Sequence, residues 1–201
     1  FDSENYIKTT ADVAFNVTSR YSSTSLSADD LVMDYNDGST WDVTLTDGEG
    51  NAICDAIVKI AFNGTINETV TDVNGVAKFS INIVPRVYDI NARFEGSEMY
   101  NSSFINSTIT VNKANAVLSA DDLVMDYKDG SVLTVKVVDC NDNPIGAGLI
   151  RVNNTVANYR YRTNDEGIAN VPVTLKPGEY EYSITFDGED CYQSLNITKT
   201  V

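Results

Sequence analysis

Leu26-Ser27-Ala28-Asp29-Asp30-Leu31-Val32-Met33-Asp34-Tyr35 returns, letter for letter, as Leu118–Tyr127. The offset of 92 residues then holds without a gap. Thr71-x3-Gly75-x-Ala77 falls on Thr163-x3-Gly167-x-Ala169, Pro85-x2-Tyr88 on Pro177-x2-Tyr180, and Phe94-x-Gly96 on Phe186-x-Gly188. Over Leu26–Ile109 against Leu118–Val201, 28 of 84 positions are identical. Self-similarity at a fixed period is the signature of a repeat architecture. The 201 residues therefore divide into units at 25–112 and 113–201, with residues 1–24 outside both.

Working outward from the repeated stretch, each unit is a series of short alternating segments split by Gly/Asn/Asp/Pro clusters. In the first, Trp41/Val43/Leu45, Val58/Ile60/Phe62, Ala77/Phe79/Ile81/Ile83, Tyr88/Ile90/Ala92/Phe94 and Ile105/Ile109/Val111 form apolar rows. The second repeats them as Leu133/Val135/Val137, Ile150/Val152, Ala169/Val171/Val173/Leu175, Tyr180/Tyr182/Ile184/Phe186 and Leu195/Ile197. Period-two alternation buries one face of a strand and wets the other. Seven or so strands in about 90 residues is the scale of an immunoglobulin-like sandwich. The fold class expected is all-β, with two tandem immunoglobulin-like β-sandwich domains. Tyr88 and Tyr180 each stand just inside a strand after a proline turn. They read either as tyrosine corners, hydroxyl bonded back to nearby backbone, or as core aromatics with the hydroxyl at the rim.

Composition narrows the function. The formal charge of −15 offers no basic stripe for nucleic acid or an anionic lipid surface, and reads chiefly as solubility. The absence of histidine removes the commonest general base and transition-metal ligand. No nucleophile–base pair, phosphate loop or Cys/His metal motif is present, so neither an enzyme nor a cofactor is expected. No run of about 18 apolar residues occurs, so direct membrane insertion is not expected. Phe1 does not open a signal peptide, and the chain reads as a piece of something longer.

Phe1–Tyr6 resembles Phe94–Tyr100, one residue shorter, and Asp12–Ser19 alternates like a final strand. Residues 1–24 read as the terminal strand of a preceding repeat, pairing with a sheet edge of this or another molecule. A native first strand completing the following domain is the other reading.

An opening strand with LSADDLVMDYKDGS, followed by VVDCNDNPIGAGLIRV and YRYRTNDEGIANVPVTLKPGEYEYSITFDGED, resembles a known family. It is similar to the bacterial-type (group 1, invasin/intimin-like) immunoglobulin-like repeats, in the form found in adhesin-like surface proteins of methanogenic archaea. The likeness covers both units. The first departs from it at Arg86, where glycine is expected after Pro85, and over the more polar Asn63–Val70. The resemblance implies an extracellular, cell-surface stalk whose repeats act as spacers or contact other cells.

On that layout Cys140 lies in the turn after the second strand and Cys191 in the loop before the last, at one end of a sandwich. They are the disulfide candidates, and the absence of both from the first unit, where Gly48 and Met99 stand, fits a paired gain or loss; Cys54 reads as a free thiol packed near a turn. Seven sequons, at Asn16, Asn63, Asn67, Asn101, Asn106, Asn153 and Asn196, offer glycosylation sites on an exported protein. Calcium is the one metal considered, on Asp29, Asp30, Asp121 and Asp122 and the neighbouring acids, against the preferred reading of solvated turns. Tyr159, Arg160, Tyr161 and Arg162 are candidates for contacting a glycan or protein, against an alternating strand with one face inward.

Three functions follow. The leading one is a non-enzymatic stalk whose partners are its neighbouring repeats and a glycan or protein of another cell. The second is a binding module, and the third a filament or surface-coat subunit assembled by strand exchange through residues 1–24.

Overall fold

The computed structural model describes residues 21–201, and all regular structure among them is β-strand. The first unit holds β1 (Thr24–Ser27), β2 (Leu31–Asp34), β3 (Thr40–Asp47), β4 (Ile57–Phe62), β5 (Thr65–Val70), β6 (Val76–Ser80), β7 (Arg86–Phe94) and β8 (Ser103–Asn112). The second holds β9 (Ala116–Ala120), β10 (Val132–Asp139), β11 (Leu149–Asn153), β12 (Asn158–Arg162), β13 (Ile168–Pro172), β14 (Glu181–Phe186) and β15 (Leu195–Thr200). The first unit pairs β1-β3-β6 in one sheet and β2-β8-β7-β4-β5 in the other. The second pairs β9-β10-β13 and β12-β11-β14-β15. Two sandwiches result, each with its own sheets.

The alternating rows fall inward as their parity predicts. Trp41, Val43, Leu45, Val58, Ile60, Ala77, Phe79, Ile90, Ala92 and Phe94 are buried in one apolar cluster. Leu133, Val135, Val137, Ile150, Val152, Ala169, Val171, Tyr182, Ile184 and Phe186 are buried in another, and the two clusters share no residue. The polar stretch noted in the first unit becomes β5, an exposed edge strand closed onto β4 by Asn63-Gly64. Both turn residues have positive φ, 48° and 75°, the primed-turn geometry that matches strand twist.

The repeated Thr-x3-Gly-x-Ala spacing has a mechanical reason. The hydroxyl of buried Thr71 donates to the Ile53 carbonyl at 2.7 Å and accepts from the Ala56 amide at 3.0 Å. Thr163 does the same to Ile145 and Gly148, at 2.6 and 2.8 Å. Thr71, ahead of β6, thus ties down the β3–β4 loop, and Thr163, ahead of β13, the β10–β11 loop. Four residues on, Gly75 and Gly167 sit at φ 74° and 73°, and a Cβ there would lie 2.5 and 2.4 Å from the carbonyls of Leu45 and Val137. Only glycine fits.

Two expectations change. The decapeptide, read as one opening strand, breaks at Ala28–Asp30: β1 pairs antiparallel with β3, whereas β2 pairs parallel with β8 in the opposite sheet. Asp30 fixes the crossing by accepting from the Ser107 hydroxyl at 2.8 Å and the Thr108 amide at 2.7 Å. The boundary at residue 24 also moves. The Ser22 amide donates to the Met99 carbonyl, the Asn101 amide to Ser22, and Thr24 lies in β1, so these residues belong to the first unit. Residues 1–20, with the inferred leading strand and Asn16, lie outside the described residues.

Candidate functional site

The feature with the most consequence is the join between the units. β8 ends at Asn112 and β9 begins at Ala116, so three residues separate the sandwiches. They are not a loose tether. Ala114 is buried; its amide donates to the Cys191 carbonyl, and its carbonyl accepts from the Gln193 amide, both at 2.9 Å. Lys113 reaches the carbonyl of Glu189 through its Nζ.

Above this strand two tyrosines meet. Tyr35, at the end of the decapeptide, stands edge-on to Tyr192, with centroids 5.7 Å apart and planes at 85°. Tyr192 in turn packs on the core ring of Phe186 at 6.2 Å. Such edge-to-face pairs contribute about 0.5–1.5 kcal/mol beyond their buried area. Burial, then the neighbouring Tyr35 hydroxyl, raises the Tyr192 pKa; burial, then Cys191, raises that of Tyr35. Both phenols stay neutral at physiological pH. A small cavity of about 80 Å³ beside them is lined by Asp34, Asp37, Asn115, Asp139 and Asn141, among others.

Acidic side chains that suggested calcium serve as turn caps. The Asp37 carboxylate accepts from the amides of Asp34 and Ser39, and Asp129 from those of Asp126 and Ser131. Asp122 accepts from the Thr200 amide at 2.9 Å. Asp29 contributes its carbonyl, which accepts from Trp41 Nε1 at 2.8 Å. Among the described residues no three acidic, cysteine or histidine side chains converge on a point.

Cys140 and Cys191 do share one end of the second unit, and both act on the Tyr192 phenol. They are free thiols in this structure rather than a bridge. Cys54 is free and exposed, not packed. Tyr159 and Tyr161 turn inward on edge strand β12, partly buried against the core, with their rings 6.3 Å apart. Arg160 and Arg162 turn outward, and Arg162 pairs with Glu189 at 2.8 Å. The four side chains thus face opposite ways and do not form one contact patch.

Among the sequons, Asn63, Asn67, Asn101 and Asn106 are exposed. Asn196 is exposed too, but its Nδ2 donates to Ser183 and Thr185 at 2.9 and 2.8 Å, and a glycan on that nitrogen leaves one N–H for the two acceptors. Asn153 is half-buried, with its Oδ1 enclosed and unpartnered. The Tyr88 hydroxyl donates to the Val84 carbonyl at 2.9 Å, which makes it a tyrosine corner.

The sequence reading singled out neither Tyr35 nor Tyr192. A signal was present: Tyr35/Tyr127 and Tyr100/Tyr192 are each kept at the 92-residue offset.

No protein-family model and no curated protein matches the chain. Among solved structures, invasin, a bacterial integrin-binding protein, aligns with a TM-score of 0.52 and 21% identity over 87% of this chain and 39% of its own. The fold is immunoglobulin-like. The adhesin InvE of Yersinia pseudotuberculosis aligns at TM-score 0.38 and 14% identity, over 88% of this chain and 57% of that one. A 1.5-MDa bacterial ice-binding adhesin aligns at 0.40 and 12%, over 90% and 63%. The chain thus spans less than two thirds of the length of each of these structures, and at 21% identity the invasin match speaks to the fold alone.

Proposed function

We propose that this chain is a non-enzymatic stalk and adhesion segment of a repetitive cell-surface protein, holding a binding region away from the cell. The observation that carries it is the join: two separate cores coupled by three residues, with Ala114 pinned and Tyr35 set against Tyr192. Such a join transmits force from β8 directly into β9 and limits swinging between units. An array built this way sets reach and stiffness by nearest-neighbour contacts. The negative charge and exposed sequons suit an extracellular setting. The resemblance of its motifs to the adhesin-like repeats of methanogenic archaea supports a parent protein of that kind.

Pulling on single molecules tests the reading. Two unfolding events are expected, each releasing roughly 90 residues, about 300 Å of extended chain before subtracting the folded length. A single event releasing the whole chain, or a globular small-angle scattering profile, would overturn it. Cell-binding and glycan-array assays with the same fragment decide whether it also grips a partner or only spaces.

A further inference from the structure

The outer face of the β12-β11-β14-β15 sheet carries a charge arrangement that its counterpart in the first unit lacks. Arg151 of β11 stands directly opposite Arg160 of β12, both on the outward parity of their strands. Cβ atoms so placed are about 4.5–5.5 Å apart, and like charges there are destabilising. In the first unit the same two places hold Lys59 and Glu68, opposite charges in the same register. Guarding an edge strand against stray pairing needs a charge of either sign, which Glu68 supplies on β5. It does not need a second cation beside Arg151.

The carboxylates nearby do not cancel the excess. Asp187 Oδ2 accepts from Nε and Nη2 of Arg151, both at 2.8 Å, and leaves the Nη1 edge open. Glu189 pairs with Arg162, two places further along β12. Arg160 is exposed and makes no hydrogen bond or ion pair among the described residues. Glu181, the other carboxylate on this face, lies four positions along β14 from Thr185, the neighbour of Arg151, roughly 13 Å away. Three guanidiniums thus face two carboxylates. Around them Asn158, Ser183, Thr185, Asn196 and Thr198 make the face one of hydroxyls and amides, with half-buried Leu149 its apolar member.

We infer that Arg151 and Arg160 together hold the carboxylate of an acidic saccharide laid on this face. A guanidinium presents a planar fork that matches a carboxylate. One carboxylate lying over both arginines turns their repulsion into two charge-assisted contacts. The flanking hydroxyls and amides both donate and accept, as sugar hydroxyls do. Protein partners are gripped chiefly through large anchors in fully desolvated pockets. This face is open and carries no aromatic side chain among its outward residues. The site belongs to the adhesion half of the proposed function and rests on it; the stalk half rests on the join. Being exposed, it binds weakly and loses affinity as salt rises.

The full chain, made without glycosylation because Asn196 lies in the same row, is titrated with oligogalacturonate while the arginine Nε–H NMR signals are followed. The methyl ester of that saccharide, neutral and otherwise alike, and polyglutamate, an acidic peptide, are the comparison probes. Oligogalacturonate is expected to shift the Arg151 and Arg160 signals and to bind at least about tenfold more tightly than either comparison probe. Arg160→Glu, which restores the first unit's arrangement, should weaken binding at least about tenfold, and Arg160→Gln several-fold. The second unit's melting temperature should stay level or rise in both, because a like-charge pair has gone. That readout separates a binding residue from a structural one. Comparable or tighter binding of either comparison probe, no binding, shifts confined to other residues, indifference to Arg160→Glu, or a lowered melting temperature in that variant overturns the inference. Two unfolding events under force would stand in each of these cases, so the stalk reading survives them.

Discussion

Trp41 and Leu133 occupy one place in the repeat, and Ile90 and Tyr182 another, yet the bulk is distributed oppositely. The first unit puts its large aromatic on β3 and a small partner on β7; the second puts leucine on β10 and the large aromatic on β14. All four side chains are essentially fully buried. The sandwich therefore conserves which faces meet and the approximate volume between them, not which sheet supplies it. Cores tolerate such exchanges when total volume and pattern are kept. The polar handles fare differently. Trp41 Nε1 donates to the Asp29 carbonyl, whereas the Tyr182 hydroxyl is buried without a partner.

That contrast can be broken most forcefully at the large aromatic. Trp41→Ala should cost the first unit about 3–5 kcal/mol, and Leu133→Ala the second about 2–5. Two-transition thermal unfolding should show each loss confined to its own unit; coupled losses would mean the cores are not independent. Next come Gly75→Ala and Gly167→Ala, which force a side chain against a carbonyl in left-handed backbone. Each should cost about 1–3 kcal/mol, read from the shift of one denaturant midpoint. Thr71→Val and Thr163→Val should cost about 1–3 kcal/mol each by stranding one buried amide and one carbonyl. Equal losses would show that the two units depend equally on this tie.

Acid sharpens the comparison further. In the first unit Asp30, Asp37, Asp47 and Asp72 have lowered pKa values, and in the second Asp129 and Asp139. The causes are hydrogen bonds to the charged form: the Ser107 hydroxyl on Asp30, the Asn51 amides on Asp47, the Val76 and Asn74 amides on Asp72, and the Ser131 amide on Asp129. At Asp37 and Asp139 burial pushes upward and is outweighed by such bonds. A carboxylate depressed on folding stabilises fully above its unfolded pKa of about 3.9, and that stability is lost as pH falls through the folded value. The first unit should therefore lose more melting temperature than the second from about pH 5 downward. Asn164 stands where Asp72 does and caps the same turn without a charge. Asp72→Asn should narrow the gap, and Asn164→Asp should widen the second unit's acid response. The smallest effect concerns the orphan hydroxyl: Tyr182→Phe should be neutral or stabilise by up to about 1 kcal/mol, since it removes an unpaired buried group.

Most of the fold was legible because alternation alone decides which side chains face inward. The rows ending in Leu45, Phe94, Val137 and Phe186 needed nothing more. The change of sheet inside the decapeptide was legible too, though only through a slip in parity, from Leu26 and Ala28 to Leu31, Met33 and Tyr35. Reading it as one strand missed that slip. The join was not legible from any single segment. Tyr35 and Tyr192 lie 157 positions apart and meet only because β8 hands over directly to β9. A cluster of acids on paper likewise says nothing about aim, and in the fold Asp30, Asp37 and Asp129 each turn back onto nearby backbone.

Three residues between sandwiches leave little freedom for one unit to rotate about the long axis against the next. Whatever azimuth Ala114 and the tyrosine pair impose is imposed again at every identical join. An extended run of such units would accumulate that angle into a screw with a fixed pitch. Surface features recurring once per unit, exposed asparagines included, would then trace a spiral around the fibre instead of lining one side.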